Sequence, residues 1–480
     1  MTGVKKMPPA TPDALLVKIA RYARRREIGA ASAYECARYC LMDAIGCALQ
    51  AFEAPDCTKL LGPVVPGTIV PHGARVPGTS FQLDPVTAAF NTACLIRWLD
   101  YNDSWFAGGH PSDNIGGILA AADHASRMRT ANGKPAMLMR EVLGAIIKAY
   151  EVQGLLAMNS DFGSHEVPLD TIALVKIAST AAITQLLGGT EEEIVNALSH
   201  AFIDGHSLNT SRKMPNSGTR KSWAAADATS RAVWLAWIAL RGEMGYASAL
   251  TAATWGFQDV LYCGRTLSVP QKLGSYAIEN VGFKIDFPAQ RHAQTAAECA
   301  VKLHPLVKNR LHEIKSIEIA THELALKKIS VKGPLPNYAA RDHCLEYIVA
   351  TALIFGEVTT ASYEDNFAAD PRIDGLRAKM QVCEDADFSR GYYDQAVRSN
   401  ANAVQVFFND GTASPKIEIE YQLGDARRRS EGRPALRKKF SSNIACRLPP
   451  RQQQSVEALF ASQAKLERMP VQDFMDLLAV

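Results

Sequence analysis

Residues 170–193 read Asp170-Thr-Ile-Ala-Leu-Val-Lys-Ile-Ala-Ser-Thr-Ala-Ala-Ile-Thr-Gln-Leu-Leu187-Gly-Gly-Thr190-Glu-Glu-Glu193. Asp170 is a helix-starting residue ahead of the apolar run Ile172 to Leu187, and the glycine pair at 188 and 189 stops that run. Thr190 with Glu193 three residues on is a capping box, in which each side chain serves the other's backbone amide, so a second helix begins at once. One nearly continuous apolar helix followed by another predicts a helical bundle, and similar signals fill the first half of the chain. The pattern changes after about residue 272. Ile317 and Ile319 alternate with polar neighbours, as do Val404, Val406 and Phe408; Asn409-Asp-Gly411 is a hairpin turn leading to a strand through Ile417, Ile419 and Tyr421. Helical periodicity returns with Val456, Leu459 and Phe460. The expected fold is therefore mainly α: a large helical-bundle domain (1–272 and 425–480) closed by N- and C-terminal segments, with an inserted smaller α+β lid domain (273–424). Clefts between such units are common ligand sites.

The composition is that of an ordinary globular protein of 480 residues, 47% hydrophobic and 21% charged. A net charge of +3 is too small to imply nucleic acid. Ten cysteines show no zinc spacing, Cys36, Cys40 and Cys47 falling at helical intervals, so buried free thiols and no metal are expected. No apolar run is long enough to cross a bilayer, and no secretory leader is read, which points to the cytoplasm. Residues 15–26 are basic and amphipathic like a mitochondrial presequence, but Thr11-Pro12-Asp13 as a start and Gly29 as a stop make them a native first helix. The sequons at Asn102 and Asn209 then carry no meaning. No glycine-rich nucleotide fingerprint, phosphate loop or Gly-x-Ser-x-Gly is present.

The densest polar stretch is Arg97-Trp-Leu-Asp100-Tyr-Asn-Asp103-Ser104-Trp-Phe-Ala-Gly-Gly-His110-Pro-Ser-Asp113-Asn114. Gly108-Gly109 and Pro111 forbid a regular helix there, which suits a ligand loop. The alternative is that Asp100 and Asp113 cap helices and His110 packs in the core. A second cluster, Arg212-Lys213 through Arg220-Lys221-Ser222-Trp223, opens a helix whose free amides and cations would suit carboxylates, or else forms a solvated basic face. Lys284, His292 and Tyr347 form a third group in the lid, with Phe283, Phe287 and Pro288 among them.

The stretches 97–103, Gly109-His-Pro-Ser-Asp-Asn114, Gly218-Thr-Arg-Lys-Ser-Trp-Ala-Ala225 with Asp227-Ala-Thr-Ser-Arg231, Arg341-Asp-His343, Arg451-Gln-Gln-Gln454 and Arg468-Met-Pro470 resemble the MmgE/PrpD family in its 2-methylcitrate dehydratase branch. The likeness spans essentially the whole chain. It implies a helical domain with an α+β lid, a homodimer, no cofactor, and dehydration of a small-molecule tricarboxylate, 2-methylcitrate or a longer 2-alkylcitrate. A base must take a weakly acidic C–H proton, an acid must serve the departing hydroxyl, and cations must stabilise the developing charge. By resemblance Asp100, His110, Lys221, Lys284, His292 and Tyr347 are catalytic: His110 oriented by Asp100 for proton transfer, Lys221, Lys284 and His292 for carboxylates, Tyr347 for the hydroxyl. Arg97, Ser104, Thr171 and Arg220 are expected to bind substrate. Two departures bear on the substrate: Phe106-Ala107-Gly108-Gly109 is about two residues shorter than the dehydratase loop, and Thr171 replaces a histidine, with His165 as a spatial substitute. Together they imply a pocket opened on opposite sides for a longer alkyl group, unless Trp105 and Phe106 fill it. The same family includes cis-aconitate decarboxylases, and the Thr171 exchange leaves a silent binding paralogue as the non-enzymatic alternative.

Overall fold

The computed structural model describes residues 11–25, 28, 30–164, 166–213 and 215–480; Gly29 and His165 lie outside the described residues. The run from Asp170 folds as the helix Ile172–Leu186, and Thr190 caps the next helix, Glu191–Ile203, its hydroxyl accepting from the Glu193 amide while the Glu193 carboxylate accepts from the Thr190 amide at 2.7 Å. The first of these is buried nearly all round, because it runs through the middle of the bundle between Met139–Met158 and Arg220–Ala239. Helix Pro85–Arg97 packs on Arg220–Ala239 and on Ile115–Ala131. Small residues permit the close approach: a Cβ on Gly116 would lie 2.6 Å from the Ala93 amide nitrogen, and one on Gly117 2.3 Å from Thr229 Oγ1.

The first helix, Ala14–Ala23, buries Leu16, Ile19 and Ala20, so residues 15–23 of the basic amphipathic stretch are part of the folded body. Asp13 starts it without capping it: the Asp13 carboxylate accepts from the Leu250 amide at 2.7 Å and from the Thr251 hydroxyl. At the other end of the chain, Arg429–Ala445 packs on Ala31–Gln50, and the last helices pack on Met139–Met158 and Ile115–Ala131. The bundle is thus completed by its own C-terminus. A small antiparallel pair, β1 (Ala74–Arg75) and β2 (Gln82–Leu83), edges it.

The second core belongs to a four-stranded sheet of β3 (Ile314–Thr321), β4 (Met380–Glu384), β5 (Asn402–Phe408) and β6 (Ile417–Ile419), in the order β4-β3-β5-β6. Only the β3–β4 pair is parallel. Helix Gln294–Val307 covers it, and Leu345–Phe355 packs on that helix. The Asn409-Asp-Gly411 turn is present, with Gly411 at φ +85° and its amide donating to the Phe408 carbonyl, while Tyr421 lies beyond the end of β6. Buried apolar residues form one continuous cluster from Leu15 to Ile285 that resumes at Leu436, and a second from Phe287 to Ile419. Among the described residues no helix is long and apolar enough to cross a membrane.

Candidate active site

Asp84 caps the helix Pro85–Arg97 by accepting from the amides of Val86 and Thr87, each at 3.0 Å, with Pro85 preset at the first position. This helix delivers Arg97 into the interior, 1% exposed. The chain then turns sharply at Asp100, whose φ of +49° is a conformation aspartate tolerates better than most residues but that still carries strain. The strain is held by charge. Asp100 Oδ1 lies 2.6 Å from Arg97 Nη1, 3.0 Å from Lys284 Nζ and 3.3 Å from His110 Nε2, and Lys284 Nζ also donates to the Asp100 carbonyl at 2.6 Å. Burial alone would raise the Asp100 carboxyl, but Arg97, Lys284 and the nearby histidines outweigh it and hold it well below the usual carboxylate range.

The loop that follows is organised by Asp103, not by Asp100. The Asp103 carboxylate accepts from the Ser112 amide at 3.1 Å, the Ser112 hydroxyl at 2.6 Å and the Tyr150 hydroxyl at 2.6 Å. Its carbonyl lies 2.5 Å from His110 Nδ1. A carbonyl can only accept, so Nδ1 carries the proton and Nε2 presents a lone pair. The expected partner Asp100 stands 3.3 Å from Nε2, but the tautomer is set by the Asp103 carbonyl. Burial first, and then Arg97, hold His110 well below its ordinary value, so the ring is neutral and able to take a proton. Once it does, the imidazolium has the Asp100 carboxylate 3.3 Å away as its counter-charge. Asp113 caps no helix; it lies buried, its Oδ1 3.7 Å from Arg97 Nε, and burial pushes it up to about 7.

From the opposite wall, Lys221, at the start of Arg220–Ala239, places Nζ 2.5 and 2.7 Å from the two oxygens of Asp342, 3.1 Å from the Ala339 carbonyl and 3.0 Å from His343 Nδ1. His343 Nδ1 is also 2.7 Å from Asp342 Oδ1, so one ring nitrogen meets both an ammonium, which only donates, and a carboxylate, which accepts. Burial lowers both Lys221 and Lys284 from the usual lysine range, opposed by Asp342 and Asp100 respectively. Asp100, Asp342 and His343 each offer a ligand atom within 4.8 Å of one another, a grouping that cysteine spacing could not reveal. Arg97, Lys284 and Lys221 already satisfy both carboxylates, which makes the group a poor cation site.

These residues line a cavity of 630 Å³ between the two cores, within the usual range for small-molecule sites. Among the described residues its wall holds nine lysines and arginines against two carboxylates, the balance a polycarboxylate requires. Arg97, Asp100, Ser104, His110, Thr171, Lys221, Lys284 and His292 all reach it. Tyr347 and Arg220 do not. Tyr347 is turned into the lid, its hydroxyl donating to the Ser362 carbonyl at 2.6 Å, and Arg220 lies over the Trp223 ring, 4.4 Å from its centroid. The tyrosines at the cavity are Tyr392 and Tyr393, the former stacked 4.1 Å from His322 and donating to the Phe106 carbonyl at 3.3 Å. Nearby, Arg398, at φ +47°, sits 3.7 Å over the Phe106 ring. The lid thereby clasps the loop before His110. Sequence reasoning missed Tyr392, Arg291 and Arg398, which carry no local motif; Asp342-His343 stood in a recognised stretch without a role assigned.

Gly108 and Gly109, both at positive φ, face Thr171, a Cβ on Gly108 lying 3.7 Å from Thr171 Cγ2. The glycines and Thr171 thus share one corner instead of opening opposite sides. Trp105 does not fill it freely: its indole N–H donates to the Gly154 carbonyl at 3.0 Å. Of the ten cysteines seven are buried and all are free, Cys263, Cys383 and Cys446 being exposed.

Residues 17–270 match the MmgE/PrpD N-terminal domain and residues 287–465 the MmgE/PrpD C-terminal domain. The chain is 54% identical to a 2-methylcitrate dehydratase of Cupriavidus necator over 474 residues and 51% identical to one of Escherichia coli K12 over 473, each alignment covering 98% of both chains. It is 47% identical to a mitochondrial 2-methylcitrate dehydratase of Yarrowia lipolytica, covering 97% of this chain and 90% of the relative.

Proposed function

The chain belongs to the MmgE/PrpD family, and on that premise we propose that it is a hydro-lyase that dehydrates 2-methylcitrate to 2-methyl-cis-aconitate. The observation that carries this reading is His110: a neutral imidazole, its tautomer set by the Asp103 carbonyl, lines a cavity walled by cations. In the proposed reaction His110 Nε2 removes the proton α to a carboxylate, and the imidazolium that forms is stabilised by Asp100 at 3.3 Å. Arg97, Lys284 and Lys221 stabilise the charge that builds on the substrate carboxylate, from fixed positions in a buried wall where such groups act most strongly. The C–O bond then breaks, and the departing hydroxyl takes a proton from the Lys221–Asp342–His343 group, leaving as water. His292, which also lines the cavity, binds a further carboxylate.

A homodimer and a cytoplasmic location belong to the same proposal. So does tolerance of a longer 2-alkyl group: Gly108, Gly163 and Thr171 meet at one corner beside the apolar side chains of Met158, Phe162 and Ile172. The test is incubation of purified protein with 2-methylcitrate, citrate and cis-aconitate, with and without EDTA. An enoate absorbance that grows with 2-methylcitrate and is indifferent to EDTA is expected. Carbon dioxide release from cis-aconitate without enoate formation would assign the decarboxylase chemistry instead.

A further inference from the structure

We infer that Lys439, on the C-terminal helix Arg429–Ala445 and far from the cavity in sequence, is a positioning residue that sets the spacing of Asp100 and Lys284; this rests on the dehydratase reading above. The ammonium of Lys439 is buried and has three donors. One goes to Asp43 Oδ1, one to the Tyr101 carbonyl and one to the Lys284 carbonyl, each at 2.7 Å. Two of its three bonds are thus spent on the backbone of the active site: the carbonyl of Lys284 itself, and that of the residue following Asp100.

The surroundings make this grip stiff. Lys439 Nζ lies 3.7 Å from the centroid of the Tyr101 ring, and the Tyr101 hydroxyl donates to the Ile285 carbonyl, so the two segments are tied to each other as well as to the lysine. The helix that carries Lys439 sits close against Ala31–Gln50, where a Cβ on Gly46 would meet Phe440 at 3.0 Å; little movement is open to it. Asp43, from that neighbouring helix, supplies the countercharge. On the other side of the same two segments, Lys284 Nζ reaches back to the carbonyl and carboxylate of Asp100. Asp100 is therefore fixed in its left-handed conformation by a lysine on each flank, Lys284 from the cavity and Lys439 from behind. A base and its charge partner that must stay aligned to within a fraction of an ångström need such support.

Three variants separate positioning from folding. Asp43→Asn keeps both carbonyl bonds of Lys439. Asp43→Asn with Lys439→Met, and Asp43→Leu with Lys439→Met, remove the buried charges as a pair, so neither is left unpaired. With 2-methylcitrate as substrate, Asp43→Asn is expected to keep kcat within about threefold, whereas either double variant that folds loses about 100-fold in kcat with KM changed less than about threefold. A crystal structure of that variant should show Asp100 out of the left-handed region or separated from Lys284. A folded double variant with kcat within about threefold of the wild type, or with Asp100 unmoved, overturns the inference. Failure of both double variants to fold overturns it too, because Lys439 would then be a residue of the core. If the wild-type protein does not turn over 2-methylcitrate, the functional reading fails, while the conformation of Asp100 still decides the role of Lys439.

Discussion

Lys221 and Tyr347 make a contrast within one site. Lys221 spends its ammonium on Asp342 at the cavity wall, where charge develops on the substrate, while the Tyr347 hydroxyl is bonded to Ser362 inside the lid. Replacing Lys221 by Met should cost at least about 2 kcal/mol of transition-state stabilisation, by analogy with loss of a preorganised donor, and should also lower stability because buried Asp342 loses its partner. Tyr347→Phe should keep kcat/KM within about threefold, since its hydroxyl touches no cavity residue. Steady-state kinetics on the two purified variants, with circular dichroism as the folding control, checks both; a Lys221→Met enzyme with near-normal kcat/KM would remove Lys221 from the site. Residue identity was readable here to different depths. Asp100, His110 and Lys221 stand in dense polar stretches, so their types and crowding mark them, whereas Lys284 stands among Phe283, Ile285 and Phe287. Tyr347 is a tyrosine in an apolar helix, and nothing local says whether its hydroxyl faces the cavity or a backbone carbonyl.

At the scale of elements, the closeness of the helices holds the site together. Gly116, on Ile115–Ala131, lets that helix approach Pro85–Arg97, the helix that delivers Arg97. In an isolated helix Gly116→Ala would gain about 1 kcal/mol from propensity. Here the added methyl would stand 2.6 Å from the Ala93 amide nitrogen, a backbone atom that cannot rotate away. Overpacking of this kind typically costs about 1–3 kcal/mol, so the net effect is expected to be destabilising, and Arg97 should shift with its helix. Thermal unfolding reads the first consequence and kcat/KM the second; an alanine variant with a raised Tm would show that the two helices can separate without harm. The helix starts at Asp170 and Thr190 were legible because capping is local chemistry. Strand β4 was not, since its inward pattern is weak and its place beside β3 is set by a distant pairing.

Across the whole molecule, the cavity exists because the two cores meet along a cationic seam, and its size limits the substrate. The corner formed by Gly108, Gly163 and Thr171 is lined by small residues from separate segments, all on the bundle side. Each further buried methylene is worth about 0.8 kcal/mol, or roughly fourfold, if it is fully accommodated. Citrates bearing 2-methyl, 2-ethyl and 2-propyl groups should therefore show kcat/KM that holds or rises with chain length, and Thr171→Phe should restore a maximum at methyl. A steady fall from methyl onward in the wild-type protein would mean that Trp105, Phe106 and the lid close the corner.

By itself the sequence determined the mainly helical class, the strand-containing insert, the helix boundaries with caps, and the polar stretches that contribute Arg97, Asp100, His110 and Lys221. Those properties follow from periodicity, capping and residue type, all of which act over a few neighbours in the chain. Only the tertiary structure decided that Asp103 orients His110, that Thr171 faces Gly108, that Tyr392 and not Tyr347 reaches the cavity, and that Lys439 grips the backbone beside Asp100. Each of these is a hydrogen bond or contact whose partner is chosen by the direction of a side chain, and that direction is set by how whole helices pack against one another.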